Sequence, residues 1–160
     1  MEANDCHCVE KWLHSISKLQ LAVKTLQIKL DILDTRAASP PRWVSNPMVA
    51  INAGSSADSR QARYVEFLDE YPHRRKDLEL AILERQQQLK CFDLVLKMLR
   101  EENIRLAQLV DCKYLHKMND QKIWEDVLYT SKSTFYRLKE QAVEAFYECL
   151  PGEFKKRDAS

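Results

Sequence analysis

Between Val9 and Leu33, apolar side chains recur at alternating intervals of three and four: Val9, Trp12, Ile16, Leu19, Val23, Leu26, Leu30 and Leu33. Lys11, Lys18, Gln20, Lys24, Gln27, Lys29 and Asp31 fill the other faces. An unbroken seam of that period predicts one long coiled-coil-like helix over residues 1–36. Ala37-Ala38-Ser39-Pro40-Pro41 ends it, because a residue ahead of proline avoids the helical region. From there to Arg60 no apolar period is sustained, and Ala, Ser, Pro, Asn and Gly dominate. This composition predicts a flexible linker over 37–60, with Trp43, Val44, Met48 and Ile51 available for local packing.

Periodicity returns with Tyr64, Val65, Leu68 and Tyr71, meets Pro72, and continues as Leu78, Ile82, Leu89, Phe92, Leu96 and Leu99. Pro72 either opens a helix at its first turn or kinks a continuous one. The pattern predicts a second long helix over 61–100. Two long helices joined by a linker pack most economically as an antiparallel hairpin, within one chain or exchanged between two.

Glu101-Glu102-Asn103 interrupts the pattern before a module at 101–150. Its first helix offers Ile104, Leu106, Ala107, Leu109, Val110 and Leu115 as apolar surface. Asn119 or Asp120 caps a short second helix that buries Ile123, Trp124, Val127 and Leu128. Tyr129-Thr130-Ser131 is a tight turn, and Ser131 caps a third helix with Phe135, Leu138, Ala142, Ala145, Phe146 and Leu150 facing inward. The expected architecture is therefore all-α: a long antiparallel helical hairpin followed by a C-terminal three-helix helix-turn-helix module. Pro151-Gly152 stops the last helix and leaves 151–160 as a basic tail carrying Lys155, Lys156 and Arg157.

Two glycines and five prolines in 160 residues agree with long helices. No apolar run approaches the roughly 20 residues needed to cross a bilayer, so no membrane partner is expected. The N-terminal residues lack a basic start and apolar core, which points to the cytosol. Five cysteines fit free thiols better than a disulfide framework. Cys6-His7-Cys8 matches no closed zinc site, and no metal or other cofactor is expected. The four histidines are scattered, no glycine-rich phosphate loop exists, and the carboxylates alternate with cations along helix faces. The chain is not expected to be an enzyme.

The chemistry concentrates at the third helix of the module. Ser131, Lys132, Ser133, Thr134, Tyr136, Arg137 and Lys139 place hydroxyls, cations and an aromatic ring opposite Phe135 and Leu138. A recognition helix in a DNA major groove needs short polar groups near its N-terminus, cations further along, and an apolar spine to fix its angle. Arg137 suits two-point contact with guanine, and Lys132 and Lys139 suit phosphates. Lys113 and Lys117 on the preceding helix are positioned to hold the DNA backbone. A net charge of +1 requires the positive charge to be local.

Three segments, Leu109–Leu115, Ile123–Leu128 and Ser131–Leu138, together resemble the helix-turn-helix of sigma factor region 4. More closely the chain resembles the ArpU/RinA group of phage and prophage late-transcription regulators. Those proteins also have a helical N-terminal part, a variable loop and a second long helix upstream of a sigma-like module. The resemblance implies sequence-specific binding to double-stranded DNA at a late promoter, activation of transcription there, and a surface for host RNA polymerase. A homo-oligomer, a dimer above all, is the expected form, because two linked modules bind far more tightly than one. Two other readings stay open: a small terminase-like DNA-packaging adaptor, and a helical protein-interaction module that does not bind DNA.

Overall fold

The computed structural model describes the backbone of residues 3–41 and 47–155 and the side chains of residues 3–41 and 59–155. It is all-α, with no strand among the described residues. Helix α1 spans Ala3–Ala38 and α2 spans Pro47–Glu102. Helix α3 (Ile104–Val110) runs on into a π-helical turn, Asp111–Leu115, and α4 (Asp120–Lys122) runs on into another, Ile123–Val127. Helix α5 (Lys132–Cys149) and the single turn α6 (Gly152–Lys155) complete the chain. No helix among the described residues is long and apolar enough to cross a membrane.

Helix α2 starts at Pro47, so the connection between the long helices is shorter than the linker expected over 37–60. Proline at the first helical position loses no hydrogen bond and has its φ already set. The residues after it include Met48, Ala50, Ala53 and Ala57, which favour helix even where no apolar period marks it. Pro72 lies inside α2, where it leaves the carbonyl of Leu68 without its usual N–H donor. Trp43 and Val44, the side chains of Met48 and Ile51, and Lys156 and Arg157 of the tail lie outside the described residues.

The chain divides into two compact units, residues 1–22 with 85–160, and residues 23–84. The smaller unit is two antiparallel helical segments. The Tyr64 hydroxyl donates to the Ala37 carbonyl (2.7 Å), and Tyr71 and Arg75 both donate to Asp34 (2.6 and 3.1 Å). The Tyr71 hydrogen bond and then Arg75 hold the Asp34 carboxyl below the usual carboxylate range. The Arg36 guanidinium lies 4.2 Å from the centre of the Phe67 ring. Val23, Phe67 and Ile82 are the buried apolar residues of this unit among the described residues.

The larger unit holds the main core, and α1 contributes to it as fully as the C-terminal helices do. Val9, Trp12, Leu13 and Ile16 of α1 join Phe92, Val95, Leu96 and Leu99 of α2, together with buried residues of α3, of the two π-helical turns and of α5. Trp12 is at the centre, with ring centroids 6.4 Å from Phe92, 6.3 Å from Phe146 and 6.1 Å from Phe154. Its indole N–H donates to Gln88 Oε1 (3.2 Å), which satisfies two buried polar groups at once. The boundaries expected at 1–36 and 101–150 cut through this core. The period of a seam shows which face of a helix is buried, but not which neighbour buries it.

Candidate nucleic-acid interface

The turns around α4 decide where α5 points. Asn103, Asn119 and Ser131 cap α3, α4 and α5, each accepting a backbone N–H in its side chain. Helices α3 and α4 end alike, in a five-residue π turn followed by a non-glycine residue in the left-handed region: Lys117 (φ 54°) and Tyr129 (φ 50°). The chain then closes back with Met118 N–H to Cys112 O (3.0 Å) and Thr130 N–H to Trp124 O (2.8 Å). Arg105 reaches across to donate to the Leu128 carbonyl (3.1 Å), one of the acceptors that the end of α4 would otherwise leave open. The approach to α5 is thus fixed by backbone bonds and a charged clasp.

Within α5, Phe135 is fully buried and Leu138 is 7% exposed. Phe135 packs on Trp124 (5.4 Å between ring centroids), and Tyr136 flanks the same indole (6.4 Å). With that side fixed inward, Lys132, Ser133, Tyr136 and Arg137 are exposed together on the first two turns. The Ser131 hydroxyl accepts the Thr134 N–H (3.3 Å) and donates to the Thr134 hydroxyl (2.9 Å). No acidic residue occupies the first turn of α5. The N–H groups of Lys132 and Ser133 have no acceptor within the helix, so this end favours an anion.

Three of the cations expected at the interface are engaged elsewhere. Lys113 is buried and pairs with Asp120 (2.6 Å), tying the end of α3 to the start of α4. Lys117 donates to the His14 carbonyl of α1 (2.6 Å). The Lys139 side chain, 21% exposed, pairs with Glu10 of α1 (2.6 Å). These lysines hold the unit together and do not stand free beside the exposed face of α5 as the sequence suggested. Thr134 is half-buried and turned into the cap. Ser131, Lys132, Ser133, Tyr136 and Arg137 remain.

The sequence placed Tyr129 in the tight turn but not among the candidate contacts, and it is 81% exposed immediately ahead of the cap. A bulky aromatic in the left-handed region is locally unfavourable by about 1 kcal/mol, and such strain collects at functional positions. A tyrosine in a turn carries no mark of this in the sequence, since its φ depends on how α4 ends. The electrostatics are mixed. Glu140, Glu144 and Glu148 are exposed further along α5, and Glu125 and Asp126 are exposed on the π-helical turn after α4. Phosphates are therefore tolerated beside the first two turns of α5 and repelled beyond them.

His14 sits where α1 meets this module. Its ring meets the fully buried Tyr114 edge-on (5.0 Å), and its pKa is lowered by burial first and then by Lys117, with Lys113 and Lys139 adding and Glu10 opposing. A depressed histidine pKa contributes stability that is present above its ordinary value of 6.5 and lost as pH falls below it. We expect the midpoint of thermal unfolding to fall between pH 7.5 and 5.5, and His14→Gln to flatten part of that fall. Parallel curves for the two proteins would remove His14 from the titration.

No family model, curated protein or solved structure matches the chain.

Proposed function

We propose that this protein is a sequence-specific DNA-binding transcriptional regulator that inserts the first two turns of α5 into a major groove. One observation carries the reading. Lys132, Ser133, Tyr136 and Arg137 share an exposed face while Phe135 and Leu138 anchor the opposite side of the same turns in the core. Arg137 supplies the fork that matches the two acceptors of guanine, and Ser133 supplies a short donor and acceptor. Lys132 and the open amides at the N-terminus of α5 take phosphates. The glutamates in the second half of α5 favour a tilted entry in which only the N-terminal end approaches the bases. The resemblance to ArpU/RinA-like regulators supports a narrower version, in which the bound site is a late phage promoter and the outcome is activation with host RNA polymerase.

The test is selection from random double-stranded DNA. Purified full-length protein is incubated with a randomised duplex library at about 100 mM salt, and the retained fragments are sequenced. Convergence on one short motif is expected. Retention without a motif, or no retention, contradicts the proposal.

A further inference from the structure

Helix α1 is apolar on two opposite faces. Val23, Leu26, Leu30 and Leu33 are buried or half-buried on one of them. On the other, Ile28 and Ile32 are 59% and 62% exposed. Their spacing of four places them on one line, with Thr25 and Thr35 completing the heptad positions. A helix apolar on two faces is matched to two neighbours, and α2 supplies one. Val65, Leu68, Leu80 and Leu83 of α2 are exposed as well, but Asp69 and Lys76 interrupt their line.

The charges beside the α1 stripe indicate what covers it. With Ile28 at heptad position d and Thr25 and Ile32 at a, Lys24 and Asp31 both fall at g. Both are exposed, and neither is ion-paired within the chain among the described residues. Flanking charges of this kind set the partner and orientation of paired helices. In an antiparallel pair, g residues meet g residues, so a second α1 brings its Asp31 to Lys24 and its Lys24 to Asp31. In a parallel pair Lys24 meets Lys29 of the neighbour, which repels, and Asp31 meets Arg36, which attracts, so only the antiparallel pair is favourable at both g positions. A two-fold axis repeats a favourable contact at no extra design, as an isologous interface requires.

We propose that the outer stripe of α1 is a self-association surface. Two copies pair antiparallel through Ile28 and Ile32, with reciprocal Lys24–Asp31 ion pairs. Two aliphatic side chains and the threonines beside them bury on the order of 200 Å² per copy, below the roughly 800 Å² per partner of a standard interface. The dimer therefore dissociates readily, in the micromolar range or weaker. This inference does not rest on DNA binding.

Sedimentation velocity on the full chain without DNA, from about 1 to 200 μM, tests it. A rise from monomer to dimer is expected. Ile28→Gln with Ile32→Gln should keep the protein monomeric with unchanged helicity, both positions being exposed. Lys24→Asp should weaken association at least tenfold, and adding Asp31→Lys to it should restore association. A chain monomeric throughout the range overturns the proposal. So does a dimer indifferent to Lys24→Asp, or one that the double reversal fails to restore.

Discussion

Trp12→Ala is expected to destabilise the larger unit by roughly 3–5 kcal/mol, read as a shift in the urea midpoint without a change in slope. The indole touches Phe92, Phe146 and Phe154 and is 8% exposed, so its removal opens a cavity between three helices. It also strands the buried Gln88 amide, whose partner is the indole N–H. Losses of this size are a third or more of the stability of many domains, so α5 should lose its fixed orientation well below the temperature at which the native chain melts. A loss under about 1 kcal/mol would mean that the first turns of α1 merely lie on the module. Deleting residues 1–22 should be more damaging still, since Lys117 and Lys139 would lose their partners in α1 together with the core.

Lys132→Ala combined with Arg137→Ala is expected to abolish discrimination between the selected duplex and a scrambled one while leaving helicity intact. A bidentate arginine–guanine contact discriminates by about 1–3 kcal/mol, or roughly ten- to a hundredfold. Loss of Lys132 removes a phosphate contact and lowers the slope of log affinity against log salt by about 1. Both side chains are exposed, so the fold has little stake in them. Lys139→Ala is the informative contrast. It breaks the ion pair with Glu10, so it should lower stability and leave the salt slope unchanged. Anisotropy titrations at two salt concentrations separate the two outcomes. A double variant that still prefers the selected duplex would dislodge Arg137 from the site.

Much of the helical architecture is legible in the sequence because helical burial leaves a period. The two long helices, the cap at Ser131, the cap at Asn119 or Asp120 that the structure places at Asn119, and the inward side of α5 at Phe135, Leu138, Ala142 and Phe146 all follow from local spacing and side-chain chemistry. Leu13 and Val143 are buried although neither fits a single seam, because each of these helices touches more than one neighbour. The site was harder to read for the same reason. A lysine on a helix looks alike in sequence whether it is solvated or paired, and the partners of Lys117 and Lys139 lie far away in α1. Asp120 was visible seven residues from Lys113, but only the π turn that holds Lys113 and the left-handed Lys117 after it bring the two together. The start of α2 at Pro47 was hidden because propensity without an apolar period reads as a loop.

The central claim is tested most directly by amide chemical-shift mapping on the full chain with the selected duplex, which asks whether the first two turns of α5 meet DNA. The largest changes are expected from Tyr129 through Arg137, declining before Glu144. Changes concentrated in other helices, with Ser131 to Arg137 unmoved, would contradict it.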